Sequence, residues 1–147
     1  MMMKQIRIVL LVDDNPADVD LFREALRQTV YSIHVESVGD GEEALAFLNH
    51  SGIHAEEPRP DLVILDLNLP KKDGRAVLAE VKTDIDLRTI PIVVFSTSRS
   101  MQDIGSSYEL GANSYVSKPG NLKDYLSTVK SIEQFWLGSA SLPRKET

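Results

Sequence analysis

The 147-residue chain has no cysteine, which excludes a disulfide framework, a thiolate metal site and a cysteine nucleophile. It also lacks a long apolar run. The opening stretch, MMMKQIRIVLLVDD, has an apolar run of only about seven residues before two acids, too short for a membrane span or a signal-peptide core. Positive charge is scarce as well. At a net charge of −6, nonspecific nucleic-acid binding is not expected. Internal repeats and low-complexity blocks are missing. A cysteine-free chain with no membrane segment is expected in the cytoplasm, and its three leading methionines leave the start codon open. What is present, 42% hydrophobic and 26% charged residues, suits one globular domain large enough to bury a core.

Residues 6–12 (IRIVLLV) read as a buried strand closed by Asp13 and Asp14. Pro16 then suits the first turn of a helix, with Asp14 or Asn15 as cap, and Val19, Phe22, Leu26 and Val30 follow at helical spacing. IHVESV (33–38) alternates as a second strand, and Gly39-Asp40-Gly41 turns into a helix carrying Ala44, Leu45 and Leu48. HSGIHAEEPRP (50–60) is a loop by composition. LVILD (62–66) is a third strand and Gly74 to Val81 a short helix. IPIVVFS (90–96) is a fourth strand, followed by a helix through Ile104, Tyr108 and Leu110. NSYV (113–116) is a fifth strand, and Leu122 to Leu137 a final long helix. Apolar, β-branched strands separated by helices argue for a parallel sheet covered on both faces. The expected fold is therefore α/β, a doubly wound five-stranded parallel sheet of order 2-1-3-4-5. In such sheets ligands bind at the carboxyl ends of the strands, near the switch point between strands 1 and 3.

Those strand ends carry Asp13-Asp14, Asp66, Ser96 and Lys118. Strands 1 and 3 are neighbours, so the acids should converge. Two unit charges about 4 Å apart repel by roughly 1 kcal/mol in water and about 4 kcal/mol at an effective dielectric of 20. Such a cluster shifts its pKa values upward or recruits a cation. An oxygen-only set favours Mg²⁺, which keeps several waters and stays open to a phosphate. Lys118 brings a second positive charge and Ser96 a hydroxyl. Together they suit phosphoryl transfer with a carboxylate as nucleophile, and Asp66 is the candidate acceptor. Taken singly the same residues have plainer uses: a helix cap for Asp13-Asp14, a turn hydroxyl for Ser96, a surface charge for Lys118 and packing for Tyr115. Their joint placement at the carboxyl strand ends is what singles them out. His34, His50 and His54 show no paired-ligand spacing.

The residues resemble the receiver domains of two-component response regulators over residues 6 to about 137. The acidic pair is Asp13-Asp14, and D-x-N-x-P followed by D-G is met by Asp66, Asn68, Pro70 and Asp73-Gly74. Ser96 is the hydroxyl after strand 4, while Tyr115 and Lys118-Pro119 fit the pattern of strand 5. The strand order is one that receivers share with flavodoxin, so fold and family form a single inference. The resemblance implies that Asp66 accepts phosphate from a histidine kinase. It implies Mg²⁺ held by Asp14, Asp66 and the backbone carbonyl of Asn68, with Asp13 acting through water. Lys118 would contact the phosphoryl oxygens, Ser96 would move to the phosphate and Tyr115 would turn inward behind it. The bond before Pro119 would be cis, and Gly120 departs from the apolar residue usual there. "DLNLPKKDGR", the acidic Pro-containing loop at 55–60 and the ending "IEQFWL" look like the stand-alone receivers that partner bacterial and cyanobacterial phytochromes.

On this reading residues 1–137 form the receiver and 138–147 a short tail, too short for a DNA-binding output domain. Signalling would then pass through phosphate relay or through protein contact around helix 4, strand 5 and helix 5, with no turnover of an external substrate. Two rival readings remain. A Mg²⁺-dependent phosphatase forming an aspartyl-phosphate would have a second acid where Asn68 stands, and a cap domain for which the chain has no room. A non-phosphorylated interaction module is weakened because no acidic or lysine position of the motif is replaced. In the last helix, Leu122, Leu126, Val129, Ile132 and Trp136 form an apolar stripe expected to cover the sheet. Tyr125, Phe135 and Trp136 are the expected interface of a homodimer, since aromatic residues are enriched at interface cores.

Overall fold

The computed structural model describes residues 5–143, so the leading methionines and the last four residues of the expected tail lie outside the described residues. Five strands, β1 (Arg7–Val12), β2 (Ile33–Val38), β3 (Leu62–Leu65), β4 (Ile92–Ser96) and β5 (Ser114–Ser117), pair in parallel in the order β2-β1-β3-β4-β5. Five helices alternate with them: α1 (Pro16–Ala25), α2 (Gly41–Leu48), α3 (Gly74–Thr83), α4 (Met101–Glu109) and α5 (Leu122–Glu133). This is the doubly wound sheet expected from the pattern. The central strands are apolar along their whole length because both of their faces are covered. Leu10, Val12, Val63, Leu65, Ile92 and Val94 face α2 and α3, whereas Val9, Leu11, Leu62, Ile64, Val93 and Phe95 face α1 and α5. The two core layers follow directly from the two-residue repeat of a strand.

Side chains cap the helices and fix where the loops leave the sheet. Asn15, not Asp14, caps α1, accepting from the amides of Ala17 and Asp18. Asp40, Asp73, Ser100 and Asn121 do the same for α2 to α5. Gly74 is required by space. A Cβ there would lie 2.3 Å from the carbonyl oxygen of Asp66, so only glycine lets α3 begin against the end of β3.

Four expectations need correction. Helix α1 ends at Ala25 with Leu26 as cap, and Val30 lies beyond it, largely exposed. The chain must turn there because Ile33 pairs with Arg7 at the start of the sheet. In α5 the buried face is Tyr125, Val129 and Ile132, while Leu122 is exposed. Tyr125 is locked between the ring of Phe95, 5.5 Å away, and the carbonyl of Asp18, to which its hydroxyl donates at 3.1 Å; it therefore presents no interface. No peptide bond among the described residues is cis, so Lys118–Pro119 is trans. The trans form is the ordinary preference, by about 0.5–1 kcal/mol.

Beyond α5 a π-helical turn, Gln134–Ser139, continues the packing. Leu137 is buried and Leu142 packs on the α1/α5 layer. Trp136 is half-buried, its ring 5.2 Å from that of Phe135 and edge-on to it, while Phe135 itself is exposed. Helix α4 is the least embedded of the five, with only Ser107 buried and Met101 and Tyr108 exposed. Among the described residues no helix is long and apolar enough to cross a membrane.

Candidate functional site

The register of the sheet brings the strand ends together. Asp13 follows β1 and donates its amide to the carbonyl of Val38, and Asp66 follows β3 and donates its amide to that of Val12. Lys118 follows β5 and donates its amide to Ser96 at 2.7 Å. Carboxylate oxygens of Asp13, Asp14 and Asp66 all lie within 4.8 Å of one another. Asp13 is buried, Asp66 is partly covered and Asp14 is exposed, so the cluster opens to solvent on one side.

Lys118 joins this cluster from below. Its ammonium is buried and donates to Asp13 Oδ2 at 2.7 Å, Asp18 Oδ2 at 2.9 Å and Asp66 Oδ2 at 3.1 Å. It also lies 5.7 Å from the centre of the Phe95 ring. Burial alone would push the Lys118 pKa down, but hydrogen bonds to Asp13 and Asp18 and the charges of Asp66 and Asp13 hold it above the ordinary lysine value. Burial raises the Asp13 carboxyl, against the lowering contact with Lys118. Asp66 Oδ1 has only a long 3.4 Å contact from the amide of Asn68, which leaves it the freer of the two oxygens. A carboxylate with one oxygen held by a cation and the other nearly free is placed to attack an electrophile.

Ser96 is fully buried at the end of β4, and its Oγ accepts from the amide of Ser98 at 3.4 Å. Tyr115 is partly covered by the core. Its hydroxyl donates to the Ser98 carbonyl at 2.8 Å, and its amide donates to the Tyr108 hydroxyl at 3.1 Å. Nothing lies within 4 Å of a Cβ at Gly120, so the turn after Pro119 is open there. Two features escaped the sequence. Asp18 is one, since it sits inside a helix and not at a strand end. The other is the link from Arg75 on α3 to Asp103 on α4 at 2.5 Å, with Ser98 donating to Asp103 at 2.6 Å. Both partners lower the Asp103 pKa, Ser98 more than Arg75. The acid-and-arginine pairing has no motif spacing, so only contact reveals it.

The pattern of the response regulator receiver domain matches residues 9–130. The chain is 47% identical over 137 residues to the response regulator Rcp1 of Synechocystis sp., covering 93% of each chain. It superposes on the crystal structure of the phosphorylated cyanobacterial phytochrome response regulator RcpA with a TM-score of 0.92, at 49% identity, covering 95% of this chain and 100% of that one. The Mn²⁺-bound form of Rcp1 superposes with a TM-score of 0.91 at 46% identity, covering 94% and 99% of the two chains.

Proposed function

The chain belongs to the response regulator receiver family, and from that premise we propose that it is a single-domain response regulator accepting a phosphoryl group on Asp66 from a histidine kinase. The observation that carries the assignment is the Lys118 ammonium, bonded to Asp66 Oδ2 inside a group of acids while Asp66 Oδ1 stays nearly free. Asp66 attacks the phosphorus of a phosphohistidine. The new O–P bond forms as the P–N bond breaks, its electron pair returning to the imidazole nitrogen. Lys118 stabilises the negative charge that is spread over the phosphoryl oxygens in the transition state. The donor set around Asp66 is oxygen only and fits a hard cation. Asp14, Asp66 and the carbonyl of Asn68 would hold Mg²⁺, with Asp13 through water, and the ion would supply further neutralisation of phosphoryl charge. In this reading the protein is an acceptor that turns over no external substrate.

The kinase partner is taken to be a phytochrome, supported by near full-length similarity to Rcp1 and to the phytochrome response regulator RcpA. Residues 1–137 are the receiver unit and 138–147 its tail, of which Leu142 packs back on the body. The cysteine-free sequence supports a cytoplasmic location, with neither nucleic acid nor membrane as partner. The reading is tested by intact-mass measurement after treatment with acetyl phosphate. One added phosphoryl group is expected with Mg²⁺ and none after chelation; a chain that stays unmodified in both would end it.

Ser96 and Tyr115 are the switch. Both are tied to the Ser98 segment, Ser96 through its Oγ and Tyr115 through its hydroxyl, so motion of Ser96 toward a phosphate moves what Tyr115 holds. Ser96→Ala is expected to bind Mg²⁺ as wild type does, yet lose most of the phosphorylation-induced change in Trp136 fluorescence or amide NMR shifts. An unaltered response would place the switch elsewhere.

We assign the output face to α4, β5 and α5, and a homodimer to the end of α5. Exposed Phe135 and half-buried Trp136 support it, and Tyr125 takes no part. Sedimentation should show self-association strengthened by phosphodonor in wild type and weakened in a Phe135→Ala, Trp136→Ala double variant. A wild type monomeric at high micromolar concentration in both states would rule the dimer out.

A further inference from the structure

We infer that Asp18 is a positioning residue that sets the rate of phosphoryl transfer by competing with the incoming phosphoryl group for Lys118. The inference rests on the phosphoacceptor reading of Asp66. An ammonium has three N–H donors, and Lys118 spends all of them on carboxylates, at 2.7 Å to Asp13, 2.9 Å to Asp18 and 3.1 Å to Asp66. Asp13 and Asp66 belong to the cluster of carboxylates that gathers beside Asp14. Asp18 lies outside that cluster, so its side chain serves Lys118. Its place is well determined. It stands in the first turn of α1, where a helix favours an anion, with its amide on the Asn15 cap and its carbonyl accepting from the buried Tyr125 hydroxyl.

When Asp66 attacks acetyl phosphate, the O–P bond forms, the bond to the acetyl oxygen breaks and acetate leaves with the electron pair. Asp66 then ceases to be an anion, and its hydrogen bond from Lys118 passes to a phosphoryl oxygen. Asp13 and Asp18 retain theirs. Each carboxylate left on the ammonium takes a share of the positive charge that the transition state needs. Asp18 therefore holds Lys118 in place in the resting protein and restrains its use during transfer.

The test measures phosphorylation rates of the full chain with Mg²⁺ for wild type, Asp18→Asn and Asp18→Glu. Acetyl phosphate, a dianion at neutral pH, is compared with phosphoramidate, a monoanion. Removing one negative charge that shares the cation is expected to raise the acetyl phosphate rate by about three- to tenfold in Asp18→Asn. The gain should be smaller with phosphoramidate, and Asp18→Glu should return to the wild-type rate. A purely structural role would not follow donor charge. Asp18→Ser serves as a second neutral variant, with thermal melts of each. An Asn variant no faster than wild type, a Glu variant behaving like Asn, or failure of both neutral variants to fold would overturn the inference. A wild type that takes no label would bring down the phosphoacceptor reading itself.

Discussion

Asp66→Asn is expected to take no phosphoryl group from acetyl phosphate and Mg²⁺, under conditions that label the wild type once. The substitution keeps shape and removes the nucleophile, since a neutral amide oxygen lacks the carboxylate's negative charge and is a far weaker nucleophile toward phosphorus. The neighbouring acids do not replace it. Asp13 has both oxygens engaged, Oδ1 by the Asn15 amide at 2.9 Å and Oδ2 by Lys118 at 2.7 Å. Asp14 is exposed and has no contact with Lys118 among the described hydrogen bonds. Asp66 combines a cation on one oxygen with a nearly free second oxygen. Intact-mass spectra of wild type and variant decide the matter, with peptide mapping of any residual label. Stoichiometric labelling of the variant would move the acceptor to another residue and overturn the proposed site.

Lys118→Met is expected to produce the largest loss of stability. Methionine keeps most of the buried stem but leaves Asp13, Asp18 and Asp66 facing one another without their cation. Breaking a buried charge group by removing one member costs about 3–5 kcal/mol. The Asp18 and Asp66 side chains keep 26% and 14% of their exposure, so water recovers part of that loss. A decrease of about 2–3 kcal/mol in urea unfolding is the expected outcome. Mg²⁺ should restore more stability to the variant than to wild type, because binding to the native state stabilises by mass action and the unpaired acids attract the cation more strongly. A variant with the wild-type urea midpoint would mean that the acids do not depend on Lys118. Slow phosphorylation should accompany the destabilisation, as the phosphoryl oxygens lose the same charge.

On the proposed reading, phosphorylation acts next to a part of the molecule that is lightly held. It adds roughly −1.5 to −2 charge at one end of the sheet. Ser96 and Lys118 are in place to respond to that charge, and Tyr115 holds the carbonyl of Ser98, two residues beyond Ser96. Helix α4 buries only Ser107 and is fastened to α3 by Arg75 and Asp103. A helix with so little apolar burial can shift at small cost, whereas the Val77, Leu78 and Val81 face of α3 is sunk in the core. On the proposed reading, the lightly buried helix lies next to Ser96 and Tyr115, and the deeply buried one behind Asp66.

The sequence by itself determined the sheet and the main line of the site. Alternating apolar strands and helices admit few topologies, and in a 2-1-3-4-5 sheet the carboxyl ends of β1, β3, β4 and β5 lie along one end of the sheet. Asp13, Asp14, Asp66, Ser96 and Lys118 could therefore be found by position alone, because strand ends are legible from hydrophobic runs. Tertiary structure decided what depends on contacts between distant elements. Asp18 reaches Lys118 across 100 residues, and no periodicity in α1 marks it as different from the acids around it. Which stripe of α5 is buried was equally undetermined, because apolar residues at spacings of three and four fit two adjacent faces. The Phe95 ring and the Asp18 carbonyl select the face bearing Tyr125, which leaves Leu122 in solvent. A helix's own pattern gives the width of its apolar stripe, but the groups packed against it set its rotation. That physical difference separates what could be read along the chain from what only the folded protein shows.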